Sequence, residues 1–232
     1  NIGNIIDMSW ISKYKASISA VLVAWMGGME SGNSVCDILY GNASPCGRLS
    51  DTIAVSYESY PSAASFGNEE HSDYTEDIFV GYRYFDKHPE QVMYPFGFGL
   101  SYTSFEITPV SFSSTDTEAT AGVSVKNTGS AAGKETVLFW CDLPQEGLKK
   151  PLRILADFTK TSLLQPGESE TVVLKCQIRY LASFDSAEHC FIMDKGSYVF
   201  KANDAEAGEI IYDEVKIIEE HPQILDKGVD LR

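Results

Sequence analysis

Basic residues are scarce in this sequence, and long apolar runs are missing. Its 232 residues contain 18 lysines and arginines against 33 aspartates and glutamates, a formal net charge of −15. This charge repels nucleic acid backbones and anionic lipid, so we predict that the chain binds neither nucleic acid nor a membrane. No apolar stretch approaches the roughly 20 residues that span a bilayer, and the first ten residues lack the basic start and apolar length of a signal peptide.

Cysteines are also few, and no metal-binding spacing is present. The five cysteines are odd in number and scattered, which favours reduced thiols over a disulfide framework. A cytosolic location is therefore favoured, with secretion left open. The four histidines form no H-x-x-x-H pair and the cysteines no C-x-x-C pair, so we predict no metal site.

A phosphate-binding motif is incomplete in the segment "VAWMGGMESGNS", residues 23–34. Glycines between an apolar run and a helical pattern are the arrangement that holds phosphate. However, no Lys-Ser or Lys-Thr pair follows, and the glycines miss the dinucleotide-binding spacing. Glu30 would also place a carboxylate where a helix N-terminus attracts anions. We interpret Glu30 or Ser31 as a helix cap, and a hydrogen bond between Glu30 and a polyol ligand remains an alternative.

Catalytic signatures are equally absent. The stretch Asn68–Asp77 offers five carboxylates, and glycoside hydrolysis needs two of them about 5 to 9 Å apart. Nothing in the stretch gives two of these carboxyl groups different surroundings, as an acid and a nucleophile require, and so we predict a solvated loop. No serine or cysteine has the surroundings of a nucleophile elbow. The sequence therefore assigns no catalytic residue.

The first hundred residues have the pattern of an α/β sheet. Ile18–Trp25 is a continuous apolar run, which predicts a strand buried on both faces. Helical patterns flank it, one after Ser9 as N-cap and one that ends at Gly41. The order helix, buried strand, helix predicts a mostly parallel sheet. Because such a sheet needs further strands, and Asn1–Gly3 resemble the tail of one, we expect a piece of a longer polypeptide.

Residues 42–102 contain many turn formers, and they include an aromatic strap. Val80–Asp86 and Tyr94–Phe105 together hold eight aromatic residues and three glycines in nineteen positions. We predict that this strap packs one domain against another. Arg83 could stack on the rings or pair with Asp77 or Asp86. The predicted packing residues are Tyr82, Arg83, Tyr84, Phe85, Phe96, Phe98 and Tyr102.

From Phe105 onwards, short segments alternate apolar and polar residues and are separated by turns. This pattern predicts an antiparallel β-sandwich of about 110 to 130 residues. The Cys-Trp-Cys spacing of an immunoglobulin domain is missing, which favours a fibronectin type III-like sandwich. The predicted strands are 105–112, 119–127, 135–143, 153–161, 169–178, 190–194, 196–204 and 208–217.

Five stretches resemble a known family in their order and spacing. They include a G-x-E-x-G-N turn, the strap V-G-Y-R-Y-F-D, the boundary P-F-G-F-G-L-S-Y-T and an N-T-G hairpin. Over almost its whole length the chain closely resembles the C-terminal part of glycoside hydrolase family 3 β-glucosidases. The stretches are residues 24–54, 76–106, 125–137, 150–174 and 180–185.

The resemblance implies a division of the chain into parts. Residues 1–102 would close the family's α/β-sandwich domain, 103–220 would form the fibronectin type III-like sandwich, and 221–232 a terminal extension. The implied fold class is thus an incomplete, mostly parallel α/β segment followed by an all-β sandwich. The strap residues match positions that pack the second domain and face the catalytic barrel.

The resemblance also implies a chemistry that this chain cannot perform alone. Family members release β-linked glucose or related sugars from non-reducing ends with retention, using an aspartate of a Ser-Asp-Trp-like motif and a glutamate upstream of the matched region. Ser72-Asp73-Tyr74 imitates that motif in a polar loop, and we reject it. Glu30 matches the family's turn glutamate, which is neither catalytic group, and we expect it to contact substrate.

The implied partners are the catalytic barrel of the same enzyme and a β-glucoside or oligosaccharide, without a cofactor. The barrel would precede or follow this segment, since both orders occur in the family. A non-catalytic module that binds carbohydrate or protein is the alternative function. A structural domain that regulates assembly is a third.

Overall fold

The computed structural model describes residues 2–71 and 73–220. The predicted terminal extension 221–232 lies outside the described residues, as do Asn1 and Ser72. The described residues form two compact units. The first unit comprises residues 2–106, 126–136 and 160–170, and the second comprises residues 107–125, 137–159 and 171–220.

Three α-helices lie in the first unit, and two of them were predicted. The helix α1 (Trp10–Tyr14) follows Ser9 at its N-cap position, and α2 (Ser31–Leu39) ends just before Gly41. Gly41 has a φ of 77°, the left-handed conformation that glycine adopts most easily after a helix. The third helix, α3 (Tyr82–Phe85), is a single turn within the strap. None of the described helices has the length and apolar character needed to cross a bilayer.

The predicted parallel sheet is wrong. Ile18–Trp25 forms no strand, and the described part of residues 2–104 has only the short strands β1 (Ile53–Ala54) and β2 (Val92–Tyr94), which pair antiparallel. A strand needs a neighbouring backbone to accept and donate its hydrogen bonds. Among the described residues no strand pairs with 18–25, and Val21 and Leu22 are more than two-fifths exposed.

A small apolar core holds the first unit together. Met8, Ile11 and Ile53 are buried and in contact with one another. Partly buried side chains from β2, from the loop before β1 and from the segments on either side of α1 pack against this cluster, among them Leu49 and Tyr94. The core therefore joins the beginning of the chain to the short β1 and β2 ribbon.

The predicted all-β part is present as ten strands in three sheets. One sheet has the order β11-β10-β5-β6, another β3-β4-β7 and the third β12-β9-β8. The pairings of β10 with β5 and β11, and of β9 with β8 and β12, are antiparallel. The strands are β3 (Phe105–Ser114), β4 (Glu118–Asn127), β5 (Thr136–Asp142), β6 (Arg153–Lys160), β7 (Ser169–Gln177), β8 (Ser183–Asp185), β9 (Cys190–Met193), β10 (Gly196–Ala202), β11 (Ala205–Tyr212) and β12 (Lys216–Glu220).

Two details differ from the predicted strand list. The segment 208–217 contributes to two strands, β11 and β12, because the chain leaves the first sheet after Tyr212 and pairs with β9 instead. The strand β8 was not predicted, since three residues are too few to display an alternating pattern.

Burial of every second residue explains why most strands could be predicted from the sequence. In β4, Ala119, Ala121, Val123 and Val125 are completely buried, and they are separated by residues of which most are only partly covered. Successive side chains of a strand point to opposite faces of the sheet, so one set enters the core of the sandwich.

Candidate functional site

Glu30 occupies the N-cap position of α2, but its side chain does not cap the helix. Its carbonyl oxygen accepts a hydrogen bond from the amide of Ser34 at 2.9 Å. Its carboxylate Oε2 accepts a hydrogen bond from Asn33 Nδ2 at 2.5 Å. Both side chains are exposed. Asn33 thus fixes the direction of the carboxylate, which keeps free acceptor capacity towards solvent.

The Glu30 turn lines an open cavity of about 500 Å³. Leu22, Val35 and Ile38 give the cavity apolar walls, and Glu30 is the only ionisable residue among those that line it. A single carboxylate can accept hydrogen bonds from the hydroxyl groups of a polyol. It cannot supply the acid and nucleophile pair that retaining glycoside hydrolysis requires.

Gly27 allows the tight turn that places Glu30 at this cavity. A Cβ atom at position 27 would collide with the side chain of Ser31. The amide of Ser31 in turn donates a hydrogen bond to the carbonyl oxygen of Gly28 at 3.1 Å. Close approach of the backbone to Ser31 therefore requires glycine at this position.

The first half of the strap packs ring against ring within the first unit. Phe85 is 3% exposed, and its ring meets the ring of Tyr60 at 5.5 Å and that of Tyr84 at 5.2 Å, both edge to face. Tyr84 also stacks on His88 with ring centroids 4.4 Å apart. Arg83 is partly buried, and its predicted pairing with an aspartate stays a prediction.

The second half of the strap returns to the same unit. Phe96 packs on Tyr82 with ring centroids 5.3 Å apart, and Phe98 packs on Tyr94 at 5.1 Å. The hydroxyl of Tyr102 donates a hydrogen bond to the carbonyl oxygen of Ile38 at 2.9 Å. Ile38 lines the Glu30 cavity, so the end of the strap is tied to the helix that carries Glu30.

Asp51 and Tyr60 form a polar group beside the strap. The hydroxyl of Tyr60 donates to the carbonyl oxygen of Thr52 at 3.1 Å and accepts from the amide of Ala54 at 3.0 Å. Burial raises the pKa of Tyr60, and the charge of Asp51 adds to this effect. Burial also raises the pKa of Asp51, whereas its hydrogen bond from the amide of Thr52 acts in the opposite direction.

Sequence reasoning missed an ion pair between Arg48 and Glu135. Glu135 is buried, and its carboxylate accepts two hydrogen bonds from Arg48 Nη2, while Arg48 Nη1 donates to the carbonyl oxygen of Gly99. The available signal was a glutamate at the start of the apolar segment "ETVLFW". A charge beside such a segment needs a partner when it is buried, but the sequence does not identify that partner.

The acidic loop places its groups in solvent. The His71 Nε2 atom lies 3.6 Å from Asp73 Oδ2, and both side chains are about three-fifths exposed. The ring of Tyr74 is 90% exposed. Within residues 2–71 and 73–220, no three His, Cys, Asp or Glu side chains are grouped so as to hold a metal ion.

Comparison with protein families identifies both parts of the chain. The profile of the glycosyl hydrolase family 3 C-terminal domain matches residues 1–102. The profile of the fibronectin type III-like domain matches residues 135–205.

Curated relatives extend the match to nearly the whole chain. A β-glucosidase of Ruminococcus albus is 41% identical over 236 residues, which cover 97% of this chain and 25% of the relative. The β-glucosidase A of Butyrivibrio fibrisolvens is 40% identical over 223 residues, which cover 86% of this chain and 27% of the relative. The chain thus spans about a quarter of the length of these relatives.

Solved structures agree with the sequence relatives. A β-glucosidase from Paenibacillus barengoltzii superimposes with a TM-score of 0.87 at 40% identity, covering 96% of this chain and 27% of that one. The β-glucosidase 3B of Thermotoga neapolitana, solved with glucose, superimposes with a TM-score of 0.84 at 33% identity, covering 94% and 31%. The chain therefore belongs to glycoside hydrolase family 3, with the family's C-terminal domain in residues 1–102 and a fibronectin type III-like domain in residues 135–205.

Proposed function

We propose that this chain is the C-terminal part of a retaining β-glucosidase whose complete form hydrolyses terminal non-reducing β-D-glucosyl residues. The observation that carries the proposal is the 41% identity with the Ruminococcus albus β-glucosidase across 97% of the chain. The implied partners are the catalytic barrel of the same enzyme and a β-glucoside or oligosaccharide. We further propose a cytosolic location for the complete protein.

In this proposal the chain provides scaffold and docking surfaces. Residues 1–102 close the α/β-sandwich domain and residues 103–220 form the second domain. Both catalytic carboxylates lie on the rest of the enzyme, so the isolated chain does not hydrolyse glycosides. The single carboxylate in the Glu30 cavity supports this division of roles, because retaining hydrolysis needs two carboxyl groups about 5 Å apart.

Glu30 and the strap have separate roles in the complete enzyme. Glu30, oriented by Asn33, accepts a hydrogen bond from a sugar hydroxyl. The partly exposed strap residue Phe98 belongs to the surface that packs against the barrel. The buried ring of Phe85 supports that surface from within the first unit.

A chimera tests the proposal. The chain replaces the matching quarter of the Ruminococcus albus β-glucosidase, and hydrolysis of an aryl β-glucoside is measured. We expect activity from the chimera, none from the relative with the matching region deleted, and none from the 232-residue chain alone. A folded but inactive chimera would contradict the scaffold role. Turnover by the chain alone would show that it carries its own catalytic carboxylates.

A further inference from the structure

A second cavity, of about 610 Å³, lies in the first unit. It is lined by the loop that follows α2, by Tyr102, by the segment between β4 and β5 that includes Lys134 and by the end of β6 at Lys160. None of its lining residues lines the Glu30 cavity. Its volume lies within the range of about 300 to 1,000 Å³ that small-molecule sites occupy.

The charge of this cavity is positive in a strongly acidic chain. Lys134 and Lys160 line it, and no aspartate or glutamate does. In the part of the chain that the structure describes, neither ammonium group pairs with a carboxylate, and Lys160 Nζ donates to Cys46 Sγ at 3.6 Å. The carboxylate of Glu135, next to Lys134 in sequence, is occupied by Arg48. Two ammonium groups in one concave site, with no carboxylate partner among the described residues, attract an anion.

The carboxylate of Asp37, on α2, also has a partner. Asp37 Oδ1 accepts a hydrogen bond from Asn42 Nδ2 at 3.3 Å, and the carbonyl oxygen of Asp37 accepts from the amides of Asn42 and Ala43. Asp37 itself does not line the cavity. These contacts fix the α2 loop and involve neither lysine.

The neutral walls of the cavity suit a sugar. The ring of Tyr102 is half exposed, and the hydrogen bond from its hydroxyl to Ile38 holds it in place. Ser44 Oγ lies 2.9 Å from Ser101 Oγ and accepts from the amide of Tyr102 at 3.0 Å, which joins the two walls. An aromatic face with a few fixed polar groups is the usual composition of a small-molecule site.

We propose that this cavity binds an anionic sugar, a molecule that carries a phosphate or a carboxylate beside its hydroxyl groups. Lys134 and Lys160 hold the anion through charge-assisted hydrogen bonds. The ring of Tyr102 packs on the apolar face of the sugar. The site is separate from the proposed hydrolase function and does not depend on it, because binding here needs no barrel.

Calorimetry on the 232-residue chain tests the site with four probes: glucose 6-phosphate, glucuronate, glucose and inorganic phosphate. We expect at least one anionic sugar to bind more tightly than both glucose and phosphate. Whether glucose 6-phosphate or glucuronate binds more tightly identifies the anionic group that the site prefers. Lys134→Met and Lys160→Met should each weaken that binding about tenfold or more, the usual size of a charge-assisted hydrogen bond. The exposed Lys195 lies outside the cavity, and Lys195→Met serves as the control.

Alkylation of Cys46 reports occupancy independently. Cys46 lines the cavity, whereas Cys36 is exposed on α2 and does not. Saturating anionic sugar should slow the reaction of Cys46 with iodoacetamide and leave Cys36 unchanged, as measured by peptide mass spectrometry. The proposal is overturned if neither anionic sugar exceeds glucose and phosphate in affinity, if the three lysine variants bind alike, or if Cys46 is not protected.

Discussion

The guanidinium of Arg48 holds the carboxylate of Glu135 from one nitrogen, with Nη2 at 2.5 Å from Oε1 and 2.7 Å from Oε2. The side chain of Glu135 is 5% exposed and that of Arg48 is 22% exposed. The backbone amide of Glu135 donates a hydrogen bond to Thr161 Oγ1 at 3.0 Å. The ion pair and this hydrogen bond together connect three parts of the first unit that are far apart in sequence.

Removal of the arginine should therefore strongly destabilise the chain. Arg48→Met leaves the buried carboxylate of Glu135 without its partner, and we expect the free energy of unfolding to fall by about 3 kcal/mol. Urea denaturation measures the change. The double variant Arg48→Met with Glu135→Leu should recover much of the loss, because no charge is then buried.

An exposed ion pair gives the control for this experiment. Lys216 Nζ lies 2.9 Å from Asp116 Oδ1, and the side chain of Asp116 is 91% exposed. Because water screens this pair, Lys216→Met should change stability far less than Arg48→Met. Equal losses in the two variants would show that burial does not set the strength of the Arg48 pair.

Gly147 and Gly167 form a matched pair of glycines. Both have positive φ, 81° and 86°, but a Cβ atom at Gly147 would strike the carboxylate of Asp194, whereas the space beside Gly167 is open. Asp194 is buried with Lys150, its Oδ2 lying 2.5 Å from Lys150 Nζ. Gly167→Ala should cost about 1 kcal/mol of backbone strain, and Gly147→Ala about 3 kcal/mol because it displaces a buried ion pair.

Thermal or urea unfolding distinguishes the two glycine variants. If Gly147→Ala lowers the free energy of unfolding no more than Gly167→Ala does, the added Cβ atom does not disturb the pair of Asp194 and Lys150. The strain at positive φ is common to both variants, and so it cancels in the comparison.

Asp51 should make stability depend on pH. Burial raises its pKa above the ordinary value of 3.8, so the folded chain binds this proton more tightly than the unfolded chain. Its favourable contribution is complete below pH 3.8 and is lost as the pH rises through the folded-state pKa. At pH 7 the ionised, partly buried carboxylate destabilises the fold, and Asp51→Asn removes that charge.

Unfolding of Asp51→Asn and the parent chain between pH 3 and pH 8 measures this effect. We expect the variant to be more stable at pH 7, with a difference that shrinks as the pH falls towards 3. The same change at Asp204, which is exposed, provides the control. A difference that is constant with pH would rule out titration of Asp51 as its cause.

Glu30 should affect substrate binding in the active chimera. Glu30→Gln removes a charged hydrogen-bond acceptor while keeping the side-chain shape, and we expect KM for the aryl β-glucoside to rise about tenfold. Asn33→Ala should raise KM less, because Asn33 only orients the carboxylate. The exposed Glu69 provides the control, and its change to glutamine should leave KM unaltered. Equal KM values for all variants would remove Glu30 from the substrate site.

The sequence by itself determined the local features of this protein. Alternating burial in β4 and its neighbours follows from the two-residue period of a strand, and the sequence shows the same period in its alternating apolar and polar residues. The end of α2 before Gly41 follows from the ease with which glycine adopts a positive φ. The position of Glu30 at the start of α2 follows from the same local pattern, while its place in a cavity depends on Leu22 and Ile38, which lie outside the turn.

The tertiary structure alone decided which distant groups meet. The apolar run Ile18–Trp25 reads as a buried strand, yet it forms none, because a strand exists only where another backbone completes its hydrogen bonds. The partner of Glu135 and the meeting of Lys134 with Lys160 in one cavity were likewise absent from the sequence pattern. The period of the apolar residues indicates which face of a segment is buried. Which residues pack on that face depends on contacts between residues that are far apart along the chain.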